Sequence, residues 1–234
     1  MVIAVKPIEE KQDPLVKEMM EVGLHFGHKT SKTHPKMKPY ITGVRNTVHI
    51  IDLEKTKQKL EEMASFIQEL KKDGKTLLLV GTKVHQRPLI EAAAKACGLP
   101  YVTGRWIGGT LTNFKTIVKR IERLKDLKAQ LVSGEWAEKY TKKEQQDLKE
   151  EIAVLEGTFG GIQELTKTPD AVFVCDLDEN RLAVKEAKNI GIPVIAIADT
   201  NSNPDEANTF VPANNDATSS VSYIVNKIQE AWMK

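Results

Sequence analysis

The 234-residue chain carries 34 Lys and Arg against 32 Asp and Glu, so its net charge of +2 does not by itself indicate a polyanionic partner. Apolar residues make up 41% of the sequence, which is enough for a packed core in one large domain and excludes a disordered chain. No stretch provides the apolar run of a secretory signal or the roughly 18 consecutive apolar residues of a membrane span, so we expect a soluble, cytoplasmic protein.

The first distinctive segment, residues 25–46 (HFGHKTSKTHPKMKPYITGVRN), carries positive charges and no carboxylate; we call it the basic arm. Its cations are Lys29, Lys32, Lys36, Lys38 and Arg45. Pro35 and Pro39 disfavour a helix, which predicts an extended or turning segment that can reach phosphate groups. Lysines supply mobile point charges, Arg45 can bind two phosphate oxygens, and Tyr40 offers a face on which an unpaired base can stack.

Strand and helix patterns alternate through most of the remaining chain. Apolar runs that suit buried strands lie at residues 76–81 (TLLLVG), 101–103, 171–176 (AVFVCD), 193–199 (PVIAIAD) and 210–211. Helical patterns lie at residues 53–72, 88–97, 180–190 and 216–232. Pro88 suits a first helical turn, Gly98 and Gly191 suit C-terminal caps, and Asp216 is a predicted N-cap. The alternation predicts an α/β fold with a flavodoxin-like or Rossmann-like parallel sheet that has helices on both faces.

Sheets of this class often bind nucleotides, so the turn after the first strong strand is informative. Residues 80–87 (VGTKVHQR) lack both the G-x-G-x-x-G and the G-x-x-x-x-G-K-[ST] pattern, so the backbone cannot approach a pyrophosphate closely. Residues 104–109 (GRWIGG) hold three glycines at other spacings, and Trp106 would crowd a phosphate there. Neither a G-x-S-x-G nor an H-E-x-x-H motif is present. Nucleotide binding therefore becomes a minor alternative, and taken with the basic tracts and the resemblance described below, we predict a non-enzymatic protein without a cofactor or a small-molecule substrate.

Residues 111–155 interrupt the alternation. Apolar residues recur at spacings of three and four in residues 114–131 and again in residues 148–155. Thr141 and Glu144 have the spacing of a capping box that starts a second helix. These patterns predict an antiparallel coiled-coil hairpin inserted into the α/β domain, with two ordinary helices packed on the sheet as the alternative. The predicted division assigns residues 1–104 and 157–234 to the α/β domain and residues 105–156 to the hairpin.

A second basic cluster lies at the start of this hairpin, preceded by Arg105. Its cations are Lys115, Lys119, Arg120, Arg123 and Lys125, and only Glu122 opposes them. Arg105 can bind two phosphate oxygens, and Trp106 either offers a second stacking face or packs in the protein's own core. A solvated charged surface explains the helical cluster easily, but it explains less well a segment from residue 25 to residue 51 without an acid. The two basic tracts together predict a folded polyanion as the partner.

Histidines and aspartates raise a separate possibility, a divalent-ion or phosphoacceptor site. His25 and His28 are three residues apart, yet no cysteine or third histidine follows at a zinc-like interval, and Cys97 and Cys175 are predicted to be inert core thiols. Aspartates at or beyond the predicted strand ends lie where open α/β sheets bind ligands; they are Asp176, Asp178, Asp199 and Asp205. We favour their role as turn formers and predict no metal site, while a flavodoxin-like enzyme that uses Asp176 and Asp199 remains the rival interpretation.

Five segments together resemble the signature segments of the small-subunit ribosomal protein two family, bacterial type. They are residues 23–29 (GLHFGHK), 35–41 (PKMKPYI), 45–56 (RNTVHIIDLEKT), 105–114 (RWIGGTLTNF) and 193–204 (PVIAIADTNSNP). The match runs in order over nearly the whole chain. One departure is Thr33-His34, where family members usually carry an aromatic residue and Asn before the second segment.

The resemblance implies a flavodoxin-like domain with an inserted coiled-coil hairpin and a structural role in translation. It further implies a position on the solvent side of the small ribosomal subunit, contacts with ribosomal RNA that bridge head and body, and a docking platform for ribosomal protein one. The expected partners are small-subunit ribosomal RNA and neighbouring small-subunit ribosomal proteins, with no membrane. The predicted RNA contacts are Lys29, Lys32, Lys36, Lys38, Tyr40, Arg45, Arg105, Trp106, Lys115, Lys119, Arg120 and Arg123.

Overall fold

A computed structural model describes residues 13–134, 136 and 139–234 of the chain. Most of the N-terminal stretch for which we predict no secretory signal lies outside these residues. The helices are α1 (Pro14–Glu21), α2 (Leu53–Lys72), α3 (Arg87–Cys97), α4 (Phe114–Ser133), α5 (Lys142–Phe159), α6 (Arg181–Asn189) and α7 (Thr218–Met233). The strands are β1 (Phe26–Lys29), β2 (Ile41–Arg45), β3 (Val48–Ile51), β4 (Leu77–Val80), β5 (Tyr101–Val102), β6 (Ala171–Val174), β7 (Val194–Ala198) and β8 (Thr209–Pro212). Within the described ranges, every helix is too short or too polar to cross a membrane.

Five of the described strands form a parallel sheet in the order β5-β4-β6-β7-β8. Counted from β4, this is the order 2-1-3-4-5 of flavodoxin-like folds. Every residue of β4, β6 and β7 is buried, which explains why these strands appear in the sequence as continuous apolar runs. The predicted α/β fold is therefore confirmed.

Helices cover both faces of this sheet. On the first face, Leu77 and Leu79 of β4 share a hydrophobic cluster with residues of α1, α2, α3 and α7. On the second face, Leu78 and Val80 share a cluster with α6 and with the ends of α4 and α5 that lie nearest the sheet. Cys175 is a buried core thiol as predicted, whereas Cys97 is only partly buried.

The helix termini follow local sequence signals with one exception. Pro88 lies in the first turn of α3, and Gly98 ends that helix in the left-handed conformation at φ +65°. The predicted N-cap at Asp216 is wrong, because α7 begins only at Thr218. Asn214 Oδ1 instead accepts the backbone N–H groups of Asp216, at 2.9 Å, and of Ala217, at 3.1 Å. This leaves the Asp216 carboxylate free to bind cations elsewhere.

The edge strand β5 has only two residues. Its outer side is covered by the turn that follows α5, since a Cβ atom added to Gly161 would lie 2.2 Å from the carbonyl oxygen of Tyr101. Only a glycine allows two backbones to approach this closely.

Helices α4 and α5 pack against each other as a hairpin. Thr141 and Glu144 form the predicted capping box at the start of α5. Away from the sheet the two helices share a small separate cluster, whose buried members are Leu124, Leu127, Trp136 and Ile152. At the base of the hairpin, Ile117, Ile121 and Phe159 belong to the cluster of the second sheet face. The predicted division of the chain into domain and insertion stays a prediction.

The basic arm has more regular structure than its sequence predicts. Strands β1, β2 and β3 form an antiparallel sheet in the order β1-β3-β2. The segment turns, as one of the two expected forms, but the expectation that Pro35 and Pro39 disfavour a helix is wrong, because Pro35–Tyr40 forms a 3₁₀ helix with Pro35 in its first turn. Met37, in the middle of this helix, is fully buried against the second face of the parallel sheet. Tertiary packing of this one side chain favours a tight helical turn that the two prolines permit.

Candidate nucleic-acid interface

Thr200, which follows β7, anchors the basic arm on the parallel sheet. Its hydroxyl accepts the backbone N–H of His28 at 2.9 Å, and its carbonyl accepts the backbone N–H of His34 at 2.8 Å. Gly27 passes so close that an added Cβ atom would lie 2.5 Å from Thr200 Cγ2. Together with the buried Met37, these contacts fix the arm relative to the sheet.

Most cations of the arm are exposed and unpaired. Lys29, Lys32, Lys38 and Arg45 are exposed and form no ion pair with any residue that the structure describes. Lys36 differs, because its ammonium binds the carboxylate of Asp205. The arm therefore presents positive charge to solvent that the protein itself does not neutralise.

The second basic tract, Arg105 together with the base of α4, follows the same rule. Arg105, Lys115, Lys119 and Arg120 are exposed, and within the described part of the chain they form no ion pair. Arg123 is the exception, since its Nε and Nη2 donate to the two carboxylate oxygens of Glu151 on α5, at 3.2 and 3.3 Å. Its guanidinium thus links α4 to α5 and is not an unpaired charge.

The two aromatic candidates are held inside the protein to different degrees. Trp106 is only 7% exposed, and its Nε1–H donates to Glu186 Oε1 at 3.1 Å. Of the two roles predicted for Trp106, stacking on a base or packing in the core, the structure therefore shows packing in the core. Tyr40 is half-buried and packs edge-on against Phe210, with ring centroids 5.2 Å apart. A base stacking face is therefore not open at Trp106.

Glu186, on α6, organises the loop that contains Arg105 and Trp106. Besides the indole of Trp106, its carboxylate accepts the backbone N–H groups of Gly109 at 2.8 Å, Leu111 at 2.9 Å and Thr112 at 3.2 Å. Gly109 has φ +91°, a conformation that favours glycine and turns these amides inward. Burial alone would raise the pKa of Glu186, but the amides of Leu111 and Gly109 and the indole hold it below the usual value.

The strand-end aspartates Asp176 and Asp199, and also Asp216, are paired with cations of the same chain. Asp199, after β7, lies 3.0 Å from His28 Nδ1, and Asp216 lies 3.4 Å from His28 Nε2. Lys83, after β4, lies 2.6 Å from Asp176 and 2.7 Å from Asp216. Because both ring nitrogens of His28 face carboxylates, the site suits the imidazolium form, in which both donate.

These contacts shift the pKa values of both cations in the same direction. The hydrogen bond to Asp199 is the main reason why the pKa of His28 is raised above the usual value. Burial disfavours the charged form of Lys83, yet its hydrogen bonds to Asp176 and Asp216 hold its pKa above that of an ordinary lysine. The neighbouring carboxylates therefore stabilise the charged forms of both cations.

This network occupies the place where a sheet of this order normally binds ligands, between the carboxyl ends of β4 and β6. Asp176 also forms the turn after its strand, as predicted, by accepting the backbone N–H of Asp178 at 2.9 Å. Among the residues that the structure describes, no group of three or more His, Cys, Asp or Glu side chains is arranged to hold a metal ion. His25 takes no part in the network, and burial lowers its pKa.

Both basic tracts lie over the second face of the parallel sheet. Met37 beneath the arm and Trp106 beneath the second tract are buried in the same hydrophobic cluster. Ile117 and Ile121, on the inner side of the base of α4, belong to it as well. Buried residues of both tracts thus pack in one hydrophobic cluster on the second face of the sheet.

Sequence reasoning missed Glu186, Thr200 and the pairing of His28. Each acts through a partner far away in the sequence, so no local spacing identifies it. Glu186 did carry one signal: in α6 it lies three residues after Ala183 and immediately before Ala187, on the apolar side of an otherwise amphipathic helix. An acid at such a position needs a buried hydrogen-bonding partner.

Comparison with known proteins gives a consistent result over nearly the whole chain. Residues 19–234 match the family described as Ribosomal protein S2. Two curated relatives, both named small ribosomal subunit protein uS2, come from the Dehalococcoides mccartyi strains BAV1 and CBDB1. Each is 44% identical to this chain over 216 residues, which is 92% of this chain and 88% of the relative.

Proposed function

Since the chain belongs to the ribosomal protein S2 family, and is thus a structural, non-enzymatic constituent of the small ribosomal subunit, we propose that it binds ribosomal RNA through the basic arm and the second basic tract. The family membership also supplies the setting, which is the ribosome and its other small-subunit proteins. The proposal concerns which surface of this chain meets the RNA.

One observation carries the proposal: both tracts present exposed cations without internal partners, and both are anchored by buried residues in the same hydrophobic cluster. In the arm these cations are Lys29, Lys32, Lys38 and Arg45, and in the second tract they are Arg105, Lys115, Lys119 and Arg120. Neutralising phosphates with such side chains releases condensed counterions, which gives affinity without base specificity. Contacts of this type suit ribosomal RNA, which proteins read mainly by shape.

Two finer roles follow from the resemblance and belong to the same proposal. A rigid domain with a basic arm and a protruding hairpin can contact RNA elements on both sides of a junction, which would bridge the head and the body of the subunit. The remaining surface would then serve as the docking platform for ribosomal protein one. Assembly into ribosomes would take place in the cytoplasm.

The experiment is a salt series of binding to small ribosomal subunits from which this protein has been removed. We expect the variant carrying Lys32→Ala and Lys38→Ala to bind more weakly, with a salt slope reduced by about 0.7 to 0.9 for each phosphate that is no longer neutralised. The matched control carries Lys71→Ala and Lys72→Ala, which removes two exposed, unpaired lysines from the end of α2. Equal affinity and equal slope for the two variants would contradict the proposal.

A further inference from the structure

We propose that the exposed face of α6 is a third part of the RNA-binding surface, on which Arg181 and Lys185 contact the phosphodiester backbone and join the other two tracts into one footprint. This inference rests on the function proposed above. Neither residue belongs to the basic arm or to the hairpin, and neither was predicted from sequence.

The spacing of the cations places them on one face of the helix. Arg181, Lys185 and Lys188 are separated by four and by three residues, so they follow one another along one side, about 6 and about 4.5 Å apart along the helix axis. All three are exposed. Ala183 and Ala187 are buried on the other side, against the second face of the parallel sheet.

The charge balance of α6 makes this face positive. Glu186 is the only acid of the helix, and its carboxylate is buried and satisfied by the loop around Gly109. Arg181 and Lys185 form no ion pair within the described part of the chain. Outside the helix, the acids nearest to Arg181 in the sequence are Asp178 and Glu179, which precede α6. The Asp178 carboxylate accepts hydrogen bonds from the side chains of Asn201 and Ser202. The solvent side of α6 therefore carries three cations and no exposed carboxylate between them.

The position of α6 connects the two tracts. At one end of the connection, an added Cβ atom on Gly108 would lie 3.8 Å from Leu182 Cδ2, so the loop that carries Arg105 rests on α6. At the other end, Lys188 Nζ donates to the carbonyl of Asp205 at 2.9 Å, and the carboxylate of Asp205 binds Lys36 of the arm. Without α6 the footprint would consist of two separate patches.

The chemistry of the face favours RNA over a protein partner. Its only large apolar side chains that are exposed, within the described residues, are Leu182 at 47% and Ile190 at 41%. Two separated aliphatic groups among cations do not make the apolar centre of a protein interface, whereas they fit against ribose while the cations bind phosphates. A protein contact is kept as an outcome of the test.

The test compares double variants in the salt series with depleted small subunits. The α6 variant carries Arg181→Ala and Lys185→Ala and keeps Lys188, whose amine holds Asp205. We expect it to bind more weakly than the Lys71→Ala, Lys72→Ala control, and to reduce the salt slope by about 1.4 to 1.8, the value for two phosphates that are no longer neutralised. Since both residues are exposed and unpaired, its urea unfolding curve is expected to match that of the wild type.

The outcomes separate this inference from the proposal on which it rests. If the α6 variant matches the control while the Lys32→Ala, Lys38→Ala variant loses affinity, the inference is overturned and the RNA-binding role of the arm stands. If all three variants match the wild type, both are overturned. If the α6 variant loses affinity with an unchanged salt slope, α6 contacts a neighbouring protein rather than phosphate, which also overturns the inference.

Discussion

The carboxyl edge of the parallel sheet and the basic arm use charged side chains in opposite ways. At the sheet edge, Lys83 and His28 each face two carboxylates and are largely shielded from solvent. In the arm, Lys32 and Lys38 are exposed and have no such partner among the described residues. The paired charge of His28 helps to fix the position of the arm, and in the proposed function the unpaired charges are the ones that meet RNA phosphates. Pairing and exposure, rather than residue type, thus separate the charges that hold the fold together from those to which the proposal assigns RNA binding.

Removing a fully paired charge is expected to have the largest effect, and Glu186 is the clearest case. Glu186→Ala leaves the N–H groups of Gly109, Leu111 and Thr112 without their acceptor, so we expect a loss of unfolding free energy on the order of 3 kcal/mol. Urea unfolding measures this loss. The matched control is Glu179→Ala, which removes an exposed acid next to the same helix and is expected to change stability little. Equal midpoints for the two variants would show that Glu186 does not organise the loop.

An intermediate effect is expected where the arm meets the sheet. Gly27→Ala places a methyl group 2.5 Å from Thr200 Cγ2, which forces the arm away from its anchor and costs about 1 to 3 kcal/mol. Gly43→Ala, in the same arm, meets no atom within 4 Å and serves as the control. Limited proteolysis of the arm and thermal unfolding detect the difference. Adding Thr200→Ser to Gly27→Ala removes the clashing methyl group and is expected to restore part of the stability; no rescue would locate the strain elsewhere.

The smallest effect is a pH dependence from His28, whose pKa is raised mainly by the hydrogen bond to Asp199. Because the folded pKa is raised, the stabilisation is fully present below the unfolded value of about 6.5 and is lost as the pH rises through the folded value. The stability advantage of the wild type over His28→Gln should therefore shrink in urea unfolding as the pH rises above about 6.5.

The comparison of these two proteins isolates His28 from the other histidines. Burial lowers the pKa values of His25 and His49, so these residues weaken the fold on acidification, which is the opposite sign. They contribute equally to the wild type and to His28→Gln. A difference that stays constant or grows with pH would mean that the His28 imidazole is not charged in its site.

The parallel sheet and the helices around it were predictable from sequence because their signals are local. Strands buried on both faces appear as apolar runs, as in residues 171–176, and a capping box such as Thr141 with Glu144 needs only four consecutive residues. The exposed cations of the arm and of α4 were also identifiable from composition alone. Composition does not show whether a given cation is already paired within the protein, as the ion pairs of Lys36 with Asp205 and of Arg123 with Glu151 demonstrate.

The remaining features depend on contacts between distant parts of the chain. Strands β1 and β2 of the arm and the following β3 are only four or five residues long and include two glycines, so their pairing is not apparent in the sequence. Asp216 has the residue type of an N-cap, but binding to Lys83 and His28 takes its carboxylate away from the helix. Glu186 lies in a helix that looks exposed, and only the fold brings the loop with Gly109 to it.

Strand β5 has a consequence for the protein before it joins a ribosome. A freshly synthesised copy with a long, open sheet margin would offer a template to which a second copy could add a strand. Strand β5 has only two residues and so provides almost no such template. The backbone of Gly161 also lies close to the Tyr101 carbonyl group and covers it. We expect copies in excess of available ribosomes to resist self-association through this margin.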